Sequence, residues 1–493
     1  MTASDSAGLS RNSFWRSLFA ADSIAVIGAK DVVGSWGFDA LKSAIASTNG
    51  IKRQVYAVNP GIKEVLGLTS YGTILDIPGT VELAIIVVPA GIVPSVLRQC
   101  AQKKVKAAVI VSAGFAEVGE DGAELEGEIV EIARQGGIRF IGPNCIGHAD
   151  MYSRLASAAV AGRIKPGPMA LLSQSGTLGA SIMQTAAGMG IGLSKFVSTG
   201  NEADLHLEDY LEYLAQDEHT RVITAYIEGL REGRRFFNLA REITLKKPVI
   251  VIKAGSTGES GRAARSHTGA LAGSDAIYST AFRQAGVIRT EDEEELCDTV
   301  LALLSQPLPR GNRVAILTMG GGFGVVTAEV CEKEGLKIAP LEPHTLEKLN
   351  GVLPPRWSHG NPIDLVGIRP SAGDTTVESC FRFLMEDKNV DGVISLLPPM
   401  VTTHGGIGNF EPDRFREMQA ESQKVLTGLS RQLRPYDKPL YMVGRFSLQT
   451  HQGAEKSSFK VEDKIPEYSH PRRAARVMRY LGWYRKYLDD RKT

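Results

Sequence analysis

Five short runs of Val, Ile and Ala constrain the first third of this chain more than any other feature. They are "SIAVIG" (23–28), "QVYAVN" (54–59), "LAIIVV" (83–88), "AAVIVS" (107–112) and "IRFIG" (138–142). Each is nearly continuous rather than alternating, as a strand must be when both its faces are covered. The intervening segments are helical in pattern. "AELEGEIVEIARQGG" (123–137), for example, is apolar along one face and ends in glycine. This alternation predicts a doubly wound parallel α/β domain over residues 20–148. Residues 1–19 read as a polar tail that enters a short helix.

A second series of the same kind follows over 149–306: "MALLSQSGTLGASIMQTAAGMG", "LSKFVSTGN", "VITAYIEG" and "PVIVIKAGS". "SQPLPRGNR" (305–313) has the prolines and glycine of a linker. A third series, over 312–493, opens with "VAILTMGGGFGVVTAEVCEKEGL" and returns to strands at "VDGVISLLP" and "PLYMVG". Its last segment, "RRAARVMRYLGWYRKYL", is helical in pattern and is expected to pack back on that block. A chain of 493 residues exceeds one core and fits three such domains.

Bulk properties exclude several classes. The net charge of +1 offers nothing to nucleic acid or to an anionic membrane. No long uncharged apolar run could span a bilayer, and the N-terminus lacks a signal core. Five scattered cysteines without a C-x-x-C pair fit reduced thiols and a cytoplasmic setting. No metal-ligand spacing such as H-E-x-x-H occurs, so no protein metal site is expected.

Ligands of open α/β sheets bind beyond the carboxyl ends of the strands. In the first block those ends are "GAKDVVGSWG", "VNPG", "VPAG", "SAGF" and "GPNC". Gly28, Gly34 and Gly37 do not make G-x-G-x-x-G. Asn59-Pro60 stands where an NAD ribose would want a carboxylate. A nucleotide-like ligand fits, NAD does not, and ordinary strand-to-helix turns are the competing reading. "SQSGTLG" (173–179) ends a strand and opens a helix. Its Ser173, Ser175, Gly176 and Thr177 would offer hydroxyls and free N–H groups to a phosphate, or simply cap the helix. Gly321 and Gly322 in "MGGGFG" repeat that arrangement. Glu228, at the end of "VITAYIE", could fix the tautomer of an imidazole and leave its other nitrogen nucleophilic. His267 in "RAARSHTGALAGS" has small neighbours that suit a reactive ring. A solvent-facing carboxylate and an ordinary loop histidine are the alternatives.

Taken in order, "VIGA", "VNP", "VVPA", "SAGF", "GPNC", "SQSGTLG", "GNEADL", "IEG", "SHTGALAG", "GGGFG" and "NPIDLVG" resemble the alpha subunit of the ADP-forming acyl-CoA synthetases. These are the acetate–CoA ligase relatives of succinyl-CoA synthetase. The resemblance implies a Rossmann-like CoA-binding domain followed by two flavodoxin-like domains. It implies a reversible reaction in which acyl-CoA and phosphate give an acyl phosphate and CoA. The phosphoryl group then passes to His267 and on to ADP. Glu228 would steady the phosphohistidine, with Ser175 and Gly176 as phosphate cradle. Gly28, Lys30, Ser35, Asn59, Pro60, Val88, Pro89, Ala113, Gly114, Pro143 and Asn144 would form the coenzyme A surface, with Asn201 and Asp204 in a loop nearby.

Two positions depart from the family pattern. Lys30 replaces the usual serine, and Gly320-Gly321-Gly322-Phe323-Gly324 replaces "AGGPG". The three blocks use up the chain, which leaves none of it for the family's ATP-grasp domains. The resemblance therefore implies a separate ATP-grasp beta subunit in an α2β2 assembly, with ATP or ADP and Mg²⁺ on that partner, and a small carboxylic acid or its acyl-CoA as substrate. A CoA-binding regulatory protein without turnover is the second reading. A nicotinamide oxidoreductase is a third, disfavoured by the glycine spacing.

Overall fold

The computed structural model describes residues 14–157, 164–255, 274–366, 375–397, 426–444 and 461–492. They form two compact units. The first reaches to residue 293, apart from 188–190, and the second begins at 294.

The first unit holds two seven-stranded sheets. In one, β1 (Ser23–Ile27), β2 (Gln54–Val58), β3 (Glu64–Val65), β4 (Leu68–Tyr71), β5 (Leu83–Ile86), β6 (Ala107–Ile110) and β7 (Arg139–Ile141) lie in the order β3-β4-β2-β1-β5-β6-β7. The strands from β4 to β7 run parallel, with Ile24 beside Val55 on one side and Leu83 on the other. The order reverses direction at β1, so the β1 and β5 turns flank a crevice at their carboxyl ends. Five of these strands fall within the five apolar runs. The small antiparallel β3–β4 hairpin was not expected.

The other sheet comprises β8 (His148–Asp150), β9 (Leu155–Ala156), β10 (Pro166–Ser173), β11 (Leu193–Ser198), β12 (Val222–Ile227), β13 (Val249–Lys253) and β14 (Ile288–Thr290), in the order β14-β13-β12-β10-β11-β8-β9. β10 is central and parallel to β11 and β12, whereas β8 pairs antiparallel with β11. One apolar cluster spans both sheets: Leu41, Leu83 and Val109 from the first block pack with Leu172, Val197, Tyr210 and Ile223 from the second, while a separate cluster with Ile27, Ile86 and Ile110 belongs to the first sheet. Residues 14–19, at the end of the polar tail, form a helix whose Leu18 and Phe19 are buried in the cluster that spans both sheets.

Two helices start at strand ends that matter below. α1 (Trp36–Ala46) follows β1, and the Ser35 Oγ accepts from the Phe38 N–H as its N-cap. α2 (Gly176–Gly188) follows β10.

In the second unit, β15 (Arg313–Thr318), β16 (Lys337–Ile338), β17 (Ile363–Asp364), β18 (Gly392–Leu396), β19 (Leu440–Val443) and β20 (Glu467–Tyr468) form one sheet, ordered β16-β15-β18-β19-β20 with β17 also on β15. α3 (Gly321–Lys333) follows β15. The terminal α4 (Pro471–Asp489) packs on the sheet as its pattern suggested, seating Ala474, Val477, Met478 and Leu481 among Val314, Ile316, Ile394 and Tyr441. Among the described residues, no helix is long and apolar enough to cross a membrane.

Candidate active site

A cavity of about 560 Å³ lies where the turns of the two sheets in the first unit meet. Its size suits a cofactor-sized ligand. It gathers Lys30, Ser35, Trp36 and Gly37 from the β1–α1 turn, Val88 and Pro89 after β5, Ala113 after β6, and Asn144 after β7. From the second sheet it gathers Gln174, Ser175, Gly176 and Thr177. Residues expected to hold coenzyme A and residues expected to hold phosphate therefore line one space.

The electrostatics favour an anion. Two helix N-termini, those of α1 and α2, open on the cavity with their free N–H groups, and Lys30 adds a full positive charge at an exposed position. Close backbone approach holds this geometry. Gly28 has φ +92°, and a Cβ there would lie 2.2 Å from the Val87 carbonyl oxygen. A Cβ on Gly37 would lie 2.2 Å from the Gly28 carbonyl oxygen. Both positions need glycine for α1 to start so near the crevice.

Other expected residues support the cavity from behind. The Asn59 Nδ2 donates to the Ala29 carbonyl (2.8 Å) and its Oδ1 accepts from the Gly61 N–H (3.0 Å), which ties the β1 and β2 turns together. Pro60 stands next to it, outside the cavity lining. Pro143 is buried beside Asn144, whose N–H donates to the Ser112 carbonyl (2.9 Å). The Gly114 N–H donates to the Glu117 carboxylate (2.6 Å). Burial pushes the Glu117 carboxyl up, but hydrogen bonds from Asn201 and from the loop's own N–H groups outweigh it and hold the group below its ordinary value. Asn201 donates to Glu117 (2.6 Å) and Glu126 (2.8 Å), and Asp204 pairs with Arg139 (2.9 Å). Ser173 is fully buried, outside the cavity lining, and donates to the Ser175 carbonyl (2.5 Å). It shapes the turn from within.

Glu228 is buried at the end of β12, next to the cavity rather than in its lining. The Tyr226 hydroxyl hydrogen-bonds its carboxylate. Its main chain is gripped by Gln174, which does line the cavity: the Gln174 Oε1 accepts from the Glu228 N–H (2.5 Å) and the Gly229 N–H (3.1 Å). His267 lies outside the described residues. Gly321 and Gly322 open α3 in the second unit, where a Cβ on Gly321 would stand 3.3 Å from a carboxylate oxygen of Asp364.

Sequence reasoning missed Gln174, Glu202, Lys253 and Trp36. Glu202 is buried with φ +55°, and it accepts from Gln174 (3.0 Å) and from the Thr199 hydroxyl (2.8 Å). Burial drives its carboxyl up to about 7, against those hydrogen bonds. Lys253 is buried, and its Nζ donates to the Glu228 carbonyl (2.8 Å). The one available signal was positional, since Gln174 sits between two serines at a strand end.

Comparison with known proteins agrees with this arrangement. Three family descriptions match in sequence: a CoA binding domain at 22–150, a succinyl-CoA ligase like flavodoxin domain at 166–303 and a Ligase-CoA domain at 314–410. The chain is 44% identical over 388 residues to the acetate–CoA ligase (ADP-forming) II subunit alpha of Pyrococcus furiosus, covering 78% of this chain and 82% of that one. It is 42% identical over 384 residues to the acetate–CoA ligase (ADP-forming) I of Archaeoglobus fulgidus, covering 78% of this chain but 54% of that longer protein. A solved structure of the dinucleotide forming acetyl-coenzyme A synthetase 1 of Candidatus Korarchaeum cryptofilum, in complex with phosphate and ADP, matches with a TM-score of 0.81 at 33% identity, covering 97% of this chain and 99% of that one. A coenzyme-binding sheet, a second sheet meeting it at an anion-seeking cavity and this order of domains have one common explanation: the chain belongs to the ADP-forming acyl-CoA synthetases, acid–thiol ligases related to succinyl-CoA synthetase.

Proposed function

We propose that this chain is the coenzyme A-binding, phosphohistidine-carrying subunit of its synthetase, with His267 as the phosphoryl carrier. The observation that supports this most is the shared cavity, in which the coenzyme-side turns and the "SQSG" helix start face one another. A phosphate held at the α2 N-terminus by Ser175, Gly176 and Thr177 attacks the thioester carbonyl of acyl-CoA. The C–S bond breaks, giving acyl phosphate and the CoA thiol. The neutral His267 imidazole then attacks phosphorus, and the carboxylate of the acid leaves. Glu228 accepts the hydrogen bond of the other imidazole nitrogen, fixing the tautomer and favouring the charge that develops on the ring. Lys30 and the α1 N-terminus hold phosphates of the coenzyme. Transfer to ADP takes place on a separate ATP-grasp subunit, where Mg²⁺ accompanies the nucleotide, in an α2β2 complex. The name of the Pyrococcus furiosus relative as a subunit alpha supports the need for a partner. The substrate class is a small carboxylic acid. Acetate, named for the similar proteins, is the first to test.

Incubation with acetyl-CoA and labelled phosphate tests this, with and without an ATP-grasp subunit. Acid-labile, base-stable label is expected on the parent and none on His267→Ala. Absence of label with a subunit shown to bind the chain would overturn the proposal and favour a CoA-binding regulator.

A further inference from the structure

The Glu228–Gly229 backbone lies just past the end of β12, where the ladder no longer fixes its orientation. Side chains supply the missing partners. The Gln174 Oε1 takes both N–H groups, and its Nε2 donates to the Gly229 carbonyl (2.7 Å). The Lys253 Nζ donates to the Glu228 carbonyl. All four main-chain polar groups of these two residues are thus held by two side chains. The amide orientation of Gln174 follows from its partners, because an N–H only donates and a carbonyl only accepts. Its remaining Nε2 hydrogen goes to Glu202, which sits behind it in a left-handed conformation and is anchored by Thr199. A non-glycine residue held at positive φ is strained and persists where its surroundings over-determine it.

We infer that Gln174, oriented by Glu202 and backed by Lys253, is a positioning residue that aims the Glu228 carboxylate and so governs the phosphoryl step. This rests on the proposed role of Glu228 beside phospho-His267. Gln174 spans the gap between the cavity and Glu228, so it also links what occupies the cavity to the carboxylate behind it. Loss of its amide would free the Glu228–Gly229 peptides to rotate, and the direction of the Glu228 Cα–Cβ bond with them. A positional error of an ångström or less is enough to slow a transfer step greatly.

The test uses the full chain with its ATP-grasp subunit, acetyl-CoA and labelled inorganic phosphate. The variants are Gln174→Ala, Lys253→Met, Glu202→Ala and Glu202→Gln, beside the references Glu228→Gln and His267→Ala. Coenzyme A affinity is measured for each by titration calorimetry, which also reports an intact site. We expect Lys253→Met and Glu202→Ala to label His267 at least tenfold more slowly. Their kcat should fall while KM for acetyl-CoA and the CoA affinity stay within about twofold. Glu202→Gln keeps an oxygen that accepts from Gln174 and should recover to within about threefold of the parent. Gln174→Ala should label as slowly as Glu228→Gln.

Parental labelling rates in Gln174→Ala and Lys253→Met would overturn the proposal. So would a Glu202→Gln as slow as Glu202→Ala, or a CoA affinity that falls in step with the rate in Lys253→Met. A parent that labels while Glu228→Gln labels equally fast would instead overturn the reading of Glu228, and the clamp's role with it.

Discussion

Gly28 and Gly34 both lie at positive φ, +92° and +84°, yet a methyl group would mean different things at the two. Nothing stands within 4 Å of a Cβ on Gly34, whereas on Gly28 it would meet a backbone oxygen at 2.2 Å. Gly34→Ala should therefore cost only the conformational term, about 1 kcal/mol. Gly28→Ala adds a clash that no side chain can relieve, and should cost more than about 3 kcal/mol in urea unfolding and empty the cavity of coenzyme. Glu202 makes a second prediction. Its folded-state pKa of about 7 lies above the ordinary 4.5, so the folded chain keeps a proton that the unfolded chain loses in between. That contribution is fully present below pH 4.5 and is lost as pH rises through 7. Glu202→Gln has no proton to lose. Relative to the parent it should gain on the order of 2 kcal/mol between pH 5 and pH 8, read from urea unfolding at each pH. Gly28 was legible in the sequence as a strand-end glycine, but the reach of Gln174 and the burial of Glu202 were not. A glutamine that holds a peptide 54 positions away, or a glutamate whose burial depends on a neighbouring sheet, carries no local signature.

Strands differed in legibility for a physical reason. Parallel strands covered on both faces need apolar residues throughout, so β1, β5 and β6 stood out, and β2 and β7 did so through the apolar residues at their buried carboxyl ends. β3 and β4 escaped notice because they are short and because polar residues at Glu64, Thr69 and Ser70 interrupt any apolar run. β8 escaped because its His148 and Asp150 are buried polar residues. Burial pushes the His148 imidazole down to about 4, so it stays neutral between Ser157 and the Leu18 carbonyl. The β8–β11 pairing rests on a further buried group, Lys195, whose Nζ meets Asp217 at 2.8 Å and Asp150 at 3.2 Å. Lys195→Met would strand two buried carboxylates and should cost about 3–5 kcal/mol. Adding Asp150→Asn and Asp217→Asn should restore much of that loss, because the neutral triad leaves no charge unpaired. Chemical denaturation of the three proteins checks the order. A triple variant no more stable than Lys195→Met would show that packing of the lysine stem, rather than charge, is what matters there.

At the scale of the whole chain, three blocks of one pattern resolve into two compact units. The difference lies in where the apolar clusters close. Leu41 and Leu172 belong to expected blocks one and two yet share a single buried cluster. Ile316 and Ile394 belong to a separate cluster in the second unit. A sequence shows the period of its strands but not which of two neighbouring sheets a buried leucine will face, so counting blocks does not show which blocks share a core. Cooperativity should follow the clusters. Truncating a buried leucine or isoleucine to alanine costs about 2–5 kcal/mol, enough to move a thermal transition by several degrees in units of this size. In calorimetry of the full chain, Leu41→Ala and Leu172→Ala should lower the same transition, although they lie in different sheets. Ile394→Ala should lower the other and leave the first in place. If Leu41→Ala and Leu172→Ala moved separate transitions, the coenzyme-side sheet and the "SQSG" sheet would melt independently. The cavity between them would then need a bound ligand to keep its walls in register; a single melting unit makes it a preformed site.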